Sequence, residues 1–428
     1  MFPETPRDVV ERQYVDARNA FAALGVDADR AIAKAVAAPL SLHPWQADDV
    51  AGLEVKDAGG VASGGLLATG NYLGRARTGD EIRADAEKVL SLVPGKHRFN
   101  LHAMYAEAGK PVERDRLEPK HFAKWIAWAK RLGLGLDFNP TYFSHPKAAD
   151  GATLSHRDPA IRAFWVRHGI ACRRIAEEMA RQLGTPCVNN HWIPDGMKDS
   201  PADRWGPRER LTESLDAILA KGLLIDTKQC VDAVEGKLFG LGSEDYVPGS
   251  NDFYAGYALK RGVVLTLDMG HFHPTETIAD KLSALLQFHR RLLVHLSRPI
   301  RWDSDHVVLF NDDLRAVFQE LVRGKALERV YLALDYFDPS INRIAAWTIG
   351  ARSVRKAILA ALLEPVEMLK RLEAEGKAAQ KLAVMEELKV LPFAAVWDML
   401  CLRHGAPVGM GWVNEIEAYE RDVLAKRT

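Results

Sequence analysis

The sequence predicts an α/β protein, a (β/α)8 TIM barrel with N-terminal helices and a C-terminal helical extension. Eight short apolar or β-branched runs are each followed by a longer amphipathic stretch, the alternation expected of a parallel sheet. In nearly every run the polar residues stand at the C-terminal end, which is the catalytic face of such a barrel. A doubly wound sheet usually has only about six strands, and no G-x-G-x-x-G motif follows the first run.

The elements are expected in this order along the chain. Residues from Arg7 to Val36 carry apolar side chains at helical spacing and predict one or two helices outside the barrel core. The predicted strands cover residues 40–43, 98–102, 134–139, 186–190, 230–235, 263–268, 292–295 and 330–335. Helices are expected at 121–131, 159–182, 214–221, 277–291 and 312–324. Two glycine-rich segments, 48–77 and 238–251, are expected to act as lids.

The pattern changes beyond Thr348, where the chain is rich in Ala, Leu, Glu and Lys and has almost no strand signal. We therefore divide it into a catalytic barrel with its N-terminal helices over residues 1–350 and a helical extension over residues 351–428. Val354, Ile358 and Leu362 begin an apolar stripe that needs a surface to cover it, either the barrel's own helices or a neighbouring subunit. A homo-oligomer is expected.

Composition excludes several classes of partner and location. The 428 residues include 57 basic and 57 acidic side chains, so the formal net charge is zero and no broad basic field is available for nucleic acid or an anionic membrane. A small molecule is the expected ligand. The four cysteines are far apart, the N-terminus lacks the pattern of a signal peptide, and no stretch reaches the roughly 20 apolar residues of a membrane span. We expect a cytoplasmic protein.

Four consecutive predicted strands end in side chains that can bind a metal, namely Glu235, Asp268, His295 and Asp335. If the strands are neighbours in a barrel, these ends converge on one axis. A single acid near a strand end is more often a helix cap or a salt-bridge partner. Four in register argue against that interpretation, because crowded carboxylates repel one another without a cation. The oxygen-rich set suits Mn²⁺, Mg²⁺ or Co²⁺.

A second candidate set follows two of these strands. His271 and His273 come just after Asp268, and Asp303 and Asp305 form a D-x-D pair that would point the same way in extended backbone. One histidine and two aspartates make an incomplete coordination shell, which is what a catalytic metal needs. The alternatives are, for the D-x-D pair, a loop that caps a helix or closes an Asx turn and, for His273, a turn at Pro274 that directs it elsewhere.

Lys237 stands two residues beyond Glu235 and is predicted to donate to a sugar oxygen that gains negative charge. The alternative is a salt bridge with Glu235. Other residues expected around the C-terminal mouth of the barrel are Trp45, His102, Asn190, Trp192, Asp195 and Asp338. The tryptophans offer flat apolar faces to sugar C–H groups, with core packing as the alternative.

Two metals, a lysine and aromatic walls together predict aldose–ketose interconversion of a small polyol, with hydrogen moving between C1 and C2. Residue types do not decide between a hydride shift and an enediol. One rival is a metal-dependent hydrolase on the same barrel, suggested by the two histidines at 271 and 273, although they follow the sixth strand rather than the first. Another rival is a sugar-binding protein that uses its metals only for stability.

The chain resembles the bacterial L-rhamnose isomerases of the enterobacterial type over almost its full length. The resemblance rests on long segments of the sequence rather than on a short motif. These are HPWQADDV (43–50), ATGNY (68–72), GLDFNP (135–140), WIPDGMKD (192–199), GHFHPTE (270–276), SRPIRWDSDHVV (297–308) and DPSINRIAAW (338–347).

This resemblance implies a (β/α)8 homotetramer that converts L-rhamnose to L-rhamnulose with one or two Mn²⁺ ions per subunit, Co²⁺ or Mg²⁺ being possible substitutes. It implies structural-metal positions at Glu235, Asp268, His295 and Asp335. It implies catalytic-metal positions at His271, Asp303 and Asp305, and a catalytic, sugar-binding lysine at Lys237. The Glu-x-Lys spacing is similar to that of xylose isomerase and favours a hydride shift by analogy.

Two residues beside the predicted site depart from the pattern of this family. Met269 and His191 are bulkier or more polar than the resemblance leads us to expect. They are predicted to alter the range of deoxy and ordinary aldoses that the site accepts, without removing a metal.

Overall fold

The computed structural model describes residues 1–54, 69–226, 228–238 and 244–427, and its centre is a closed barrel of eight parallel strands. The strands follow chain order around the barrel, and the last pairs with the first. They are β1 (Leu40–Leu42), β2 (His97–His102), β3 (Gly135–Asn139), β4 (Cys187–Trp192), β5 (Cys230–Glu235), β6 (Val264–Asp268), β7 (Leu292–Leu296) and β8 (Val330–Leu334). The predicted TIM barrel is confirmed. Residues 55–68 and 239–243 of the two predicted lids lie outside the described residues.

Helices surround the barrel and extend beyond it at both ends of the chain. The first eight are α1 (Arg7–Ala23), α2 (Ala28–Ala37), α3 (Trp45–Asp48), α4 (Gly79–Leu92), α5 (Ala123–Leu132), α6 (Pro159–Leu183), α7 (Gly206–Ile218) and α8 (Asn251–Arg261). The others are α9 (Ala279–Leu285), α10 (Asp312–Arg323), α11 (Arg343–Leu362), α12 (Val366–Ala374), α13 (Ala378–Glu387), α14 (Phe393–Arg403) and α15 (Gly411–Asp422).

Two helices differ from their predicted bounds for local reasons. The helix expected at 214–221 begins earlier, at Gly206, where the carboxylate of Asp203 accepts hydrogen bonds from the first backbone N–H groups and Pro207 occupies the first turn. The helix expected at 277–291 ends at Leu285. Beyond it, the guanidinium group of Arg329 binds carbonyl groups of the connection to β7, including that of Leu286.

The terminal helices pack on one another and on the barrel. Helix α1 lies against α14, and α2 lies against α11. Helix α11 passes through residue 350, so the proposed boundary between barrel and extension falls within it and stays a prediction. In the predicted apolar stripe Val354 and Ile358 are buried and Leu362 is half-buried, which means that this chain covers most of the stripe itself. None of the helices in the described ranges combines the length and the apolar character needed to cross a bilayer.

Alternation along the strands positions the candidate site. Val188, Ala233, Leu293 and Ala333 form a small apolar cluster inside the barrel. Each stands two residues before a polar side chain of the next layer, and alternate residues of a strand share a face. The four polar residues that share the inward face with this cluster are Asn190, Glu235, His295 and Asp335. The same inward face therefore changes from apolar to polar toward the C-terminal end.

Candidate active site

Four potential metal ligands meet at the C-terminal ends of β5 to β8. Glu235 and Asp268 end β5 and β6, His295 is in β7, and Asp335 directly follows β8. One potential ligand atom of each lies within 4.8 Å of those of the other three. Nδ1 of His295 is 3.4 Å from a carboxylate oxygen of Glu235, 3.6 Å from one of Asp268 and 3.2 Å from one of Asp335. The structure thus brings together the four side chains of the first predicted set.

Each of the three carboxylates has one oxygen held from outside the centre, and for Asp268 this is Oδ1, which accepts from the N–H of Gly270 over 2.6 Å. Asn190 Nδ2 donates to Glu235 Oε2 over 2.6 Å, and the indole Nε1 of Trp45 donates to Asp335 Oδ1 over 3.1 Å. Such contacts fix the rotation of a carboxylate, as they do for the ligands of metal sites generally. The second oxygen of each group is left available to the centre.

Several polar atoms of the centre are buried without a hydrogen-bond partner. Within the described ranges these include Glu235 Oε1, both ring nitrogens of His295, and Asp303 Oδ1. Nearly all buried polar atoms in proteins are paired, so a group of unpaired ones in a single pocket calls for an explanation. Divalent cations would satisfy the carboxylate oxygens and one ring nitrogen of His295, because oxygen and imidazole nitrogen are their usual ligands. The residues present therefore fit a metal ion.

A second group of potential ligands combines Asp268 with His271 and Asp303. His271 Nδ1 lies 2.9 Å from the carbonyl oxygen of Gly236, whereas Nε2 lies 3.3 Å from Asp303 Oδ2. Because a carbonyl oxygen only accepts, Nδ1 carries a proton, and Nε2 is the nitrogen turned toward the other potential ligands. Asp268 belongs to both groups, so two cations bound here would be neighbours.

Asp305 lines the same pocket but belongs to neither group of potential ligands. Its φ is +47°, so the D-x-D backbone is left-handed at this residue and not extended as the sequence suggested. A bridge between Arg298 and His306 closes the loop, and the carbonyl of Asp305 accepts a hydrogen bond from the N–H of Phe337. Burial, followed by the charge of Asp303, raises the pKa of the Asp305 carboxyl well above its ordinary value.

Lys237 is buried in the pocket between an acid and an aromatic ring. Its Nζ lies 2.8 Å from Asp303 Oδ2 and 4.6 Å from the ring centroid of Trp192. The ion pair thus forms with Asp303 and not with Glu235, the alternative partner considered from the sequence. Burial alone would lower the pKa of Lys237, but the charges of Asp303 and Asp305 raise it, so the side chain stays cationic.

The pocket carries more negative charge than its cationic side chains offset easily. Burial raises the pKa of Asp268 to about 7. Although burial alone would lower the pKa of a histidine, the charges of Asp268 and Asp303 raise that of His271 well above its ordinary value. The charge of Glu235 likewise raises the pKa of His295 well above its ordinary value, although burial alone would lower it. Protons on these histidines balance the carboxylates in the metal-free chain, and a divalent cation would replace them.

Aromatic and amide side chains complete the walls of the pocket. The lining residues outside the acidic and basic groups are Trp45, Val50, His102, Asn139, Phe143, Asn190, Trp192 and Phe337. Burial lowers the pKa of His102 to about 4, so its imidazole is neutral near pH 7 and can hydrogen-bond a hydroxyl group. The four residues predicted to bind substrate, Trp45, His102, Trp192 and Lys237, all line this pocket.

Three residues that the sequence placed near the site have other contacts. Asp195 is buried and accepts hydrogen bonds from Thr153 and Ser155, so it does not line the pocket. Asp338 closes a local turn by accepting from the N–H of Ser340. His273 is exposed just before the turn at Pro274, as the alternative interpretation of that residue predicted.

The two residues expected to alter the substrate range do not line the pocket. His191 is buried on the outer side of β4, where its ring contacts the hydroxyl of Tyr142 and the side chains of Asn189 and Asp232. Met269 is half-buried and donates its backbone N–H to the carbonyl of His295. Any influence of His191 on substrate passes through the packing of β4.

Sequence reasoning did not assign a site role to Val50, Asn139, Phe143 or Phe337, which also line the pocket. For two of them a signal was present. Asn139 is the last residue of β3 and a polar strand end like the others. Phe337 is two residues beyond Asp335, the same spacing as Lys237 from Glu235. Val50 and Phe143 lie in loops, where no regular spacing indicates the direction of a side chain.

The curated proteins that this chain resembles are L-rhamnose isomerases. A family model described as L-rhamnose isomerase (RhaA) matches residues 8–427. L-rhamnose isomerase of Mannheimia succiniciproducens is 54% identical over 418 residues, which cover 98% of this chain and 99% of that protein. L-rhamnose isomerase of Rhodopirellula baltica is 53% identical over 419 residues, covering 98% and 97% of the two chains. That of Citrobacter koseri is 52% identical over 419 residues, covering 98% and 99%.

Similarity to solved structures is weaker. The structure of an L-ribulose 3-epimerase matches with a TM-score of 0.45 and 15% identity, over 69% of this chain and 93% of that chain. A D-allulose 3-epimerase from Methylomonas sp. matches with a TM-score of 0.46 and 12% identity, over 74% and 95% of the two chains.

Proposed function

The chain belongs to the L-rhamnose isomerase family, and on this premise we propose that it interconverts L-rhamnose and L-rhamnulose in the pocket at the C-terminal end of the barrel. One observation carries the proposal: two groups of potential metal ligands share Asp268, beside the buried cation of Lys237 and between aromatic walls. Identity of 54% over 98% of the chain with a curated L-rhamnose isomerase supports the same activity.

Manganese is the metal of this proposal, one or two ions per subunit, with Co²⁺ or Mg²⁺ as substitutes. Glu235, Asp268, His295 and Asp335 would hold the structural ion, and His271, Asp303 and Asp305 the catalytic one. When bound, such ions polarise the carbonyl and hydroxyl oxygens of a sugar. The buried unpaired atoms of Glu235, His295 and Asp303 are the support for this assignment.

The protein's own side chains bind and orient the sugar. Lys237 donates an N–H to the oxygen that gains negative charge as hydrogen moves between C1 and C2. Neutral His102 forms a hydrogen bond with a sugar hydroxyl, because at pH 7 one ring nitrogen donates and the other accepts. Trp45 and Trp192 exclude water and pack on the apolar C–H faces of the ring.

A metal-dependence experiment tests this function. Protein treated with EDTA and then dialysed should form no L-rhamnulose from L-rhamnose, and added Mn²⁺ should restore the reaction. Ketose formation is followed by a colorimetric ketose assay or by NMR. The proposal fails if the Mn²⁺-loaded protein leaves L-rhamnose unchanged, or if the rate is the same in EDTA as in Mn²⁺.

The same assay separates the rival functions. A hydrolase would cleave ester or amide substrates, and it would require the His271 and His273 pair as ligands, yet His273 is exposed and its Nδ1 lies 2.9 Å from Thr275 Oγ1. A sugar-binding protein would bind L-rhamnose and Mn²⁺ without turnover. Cleavage, or binding without conversion, would replace the proposed isomerase by the corresponding rival.

A homotetramer in the cytoplasm completes the proposal. All four cysteines, Cys172, Cys187, Cys230 and Cys401, are buried free thiols, a state that fits a reducing compartment. Sedimentation analysis should give about four times the 47.5 kDa of the chain. A monomer at micromolar concentration would refute the tetramer without affecting the activity.

A further inference from the structure

Asn190 and Thr266 form a hydrogen-bonded relay that ends on Glu235. The hydroxyl of Thr266 donates to Asn190 Oδ1 over 2.7 Å, and Asn190 Nδ2 donates to Glu235 Oε2 over 2.6 Å. The three side chains come from β6, β4 and β5, and Thr266 is the register partner of Glu235. All three are at most 2% exposed, so water does not compete for these bonds.

The relay determines which end of the Asn190 amide faces the carboxylate. An amide can present either its oxygen or its NH₂ group, and an oxygen turned toward Glu235 would repel the carboxylate. The Thr266 hydroxyl supplies a proton at the far end, which favours the orientation with the amide oxygen toward Thr266 and the NH₂ group toward Glu235.

The same contact selects the oxygen that Glu235 turns to the centre. With Oε2 occupied by Asn190, Oε1 is left buried and without a hydrogen bond within the described ranges. Oε1 lies 3.1 Å from His271 Nδ1 and 3.4 Å from His295 Nδ1, between the two groups of potential ligands. Rotation of the carboxylate would move this oxygen away from both.

We propose that Asn190 and Thr266 are positioning residues for the metal centre. They act by orienting Glu235, and Thr266 does not touch the reacting atoms of the sugar. The inference rests on the proposed metal centre. Outer partners of metal ligands typically change metal affinity or activity by about 10- to 100-fold when removed. The effect of Thr266 passes through Asn190, and the effect of Asn190 passes through Glu235.

Titration of the metal-free enzyme with Mn²⁺ alone tests the relay, with free Mn²⁺ measured by electron paramagnetic resonance. Thr266→Val keeps the shape of the side chain and removes the hydroxyl, so it should weaken Mn²⁺ binding about tenfold. Thr266→Ser restores the hydroxyl and should bind Mn²⁺ within about twofold of the wild type. Thr348→Val is the matched control, because the buried Thr348 hydroxyl has no hydrogen-bond partner in the described ranges.

A double-mutant cycle separates the relay from packing. Asn190→Ala should weaken Mn²⁺ binding by about 10- to 100-fold, and adding Thr266→Val to it should change the affinity less than about twofold further. If Thr266→Val does not fold, Asn190→Ala still tests the contact with Glu235. Circular dichroism of the metal-free variants checks that each has folded.

The outcomes distinguish failure of the relay from failure of the metal centre. Wild-type protein that binds no Mn²⁺ would overturn both. Wild-type binding with an equal affinity in Thr266→Val would overturn the relay alone, and so would a loss in Thr266→Ser as large as that in Thr266→Val. Full additivity of Asn190→Ala and Thr266→Val would show that the two residues act independently, which contradicts the relay.

Discussion

The carboxylates of the pocket repel one another in the metal-free protein. Exchanging a carboxylate oxygen for an amide nitrogen therefore changes the charge of the site while the shape of the side chain stays the same. Replacing Asp303 and Asp305 together by asparagine keeps their shape and removes both carboxyl groups. We expect turnover of L-rhamnose to be abolished, because these side chains are proposed to hold the catalytic ion. The protein should still fold, because reduced repulsion among the buried carboxylates offsets part of the loss of the ion pair between Lys237 and Asp303. The measurements are the isomerase rate with saturating Mn²⁺ and the thermal unfolding of the metal-free protein.

A matched control removes two charges elsewhere. Asp312 and Asp313 are exposed in the first turn of α10, so the double change to asparagine there should leave turnover intact and cost only about 0.3–1 kcal/mol of helix-dipole stabilisation per residue. Near-native turnover in the Asp303→Asn, Asp305→Asn protein would show that the catalytic-metal assignment is wrong.

Lys237 is the second single residue whose replacement should reduce turnover. Lys237→Met keeps the length of the side chain and removes its donor, so kcat should fall by about 10²- to 10³-fold while KM rises much less. Lys281→Met is the control, because Lys281 also combines an aromatic contact, with Phe272, and an ion pair, with Glu276, but lies outside the pocket. Steady-state kinetics decide the matter, and an unchanged kcat would reduce Lys237 to a structural ion pair with Asp303.

Some site residues could be predicted from the sequence and others could not, for a physical reason. Glu235, Asp268 and His295 end or nearly end strands, so their convergence follows from parallel strands in register. The partner of Lys237 depended on the path of the loop that carries Asp303. The left-handed backbone at Asp305 shows that this path is not set by local alternation.

At the scale of elements, helix α11 shows how close packing next to the site limits substitution. A Cβ at Gly350 would lie 2.0 Å from the hydroxyl oxygen of Tyr336, which donates to backbone carbonyls of the same helix. Tyr336 directly follows Asp335. We therefore expect Gly350→Ala to destabilise the protein by about 1–3 kcal/mol or more through overpacking, and to weaken Mn²⁺ binding by displacing Asp335.

Gly256 in α8 is the matched control for this prediction. A Cβ there meets no atom within 4 Å, so Gly256→Ala should be neutral or stabilising by about 0.5–1 kcal/mol, because alanine loses less backbone entropy in a helix. Urea unfolding and Mn²⁺ titration of both variants provide the measurement. Equal stabilities of Gly350→Ala and Gly256→Ala would contradict the packing explanation.

Elements were predictable wherever the local pattern and the tertiary structure agree. The eight strands came from apolar runs that the barrel buries on both faces, and their ends agree within two residues. The helix expected to reach Arg291 stops at Leu285, and the guanidinium group of Arg329, distant in the sequence, binds the carbonyl of Leu286, which a continued helix would have paired with the N–H of Arg290. Such a long-range contact leaves no periodic signal in its own segment.

For the whole molecule, the ionisation of buried histidines decides how stability responds to acid. Besides the two histidines of the metal centre, five have a lowered pKa of about 3 to 4, with burial as the leading cause. They are His43, His97, His102, His145 and His168. An unfolded chain binds protons at these positions near pH 6.5, whereas the folded chain does not. Stability from these groups is therefore complete above pH 6.5 and declines as the pH falls.

His168 allows this response to be measured for one group. Its Nε2 accepts from the N–H of Thr141 over 3.0 Å, and its Nδ1 lies 3.0 Å from the carbonyl oxygen of Arg114, so only the neutral ring satisfies both contacts. His168→Gln should be less stable than wild type at pH 7. Below pH 6 the difference should shrink by about 1.4 kcal/mol per pH unit, because only the wild type must keep this imidazole unprotonated to fold. Urea unfolding of both proteins in EDTA at pH 7, 6 and 5 gives the difference, and the remaining titrating groups are common to the two. A difference independent of pH would mean that His168 keeps its ordinary pKa in the fold.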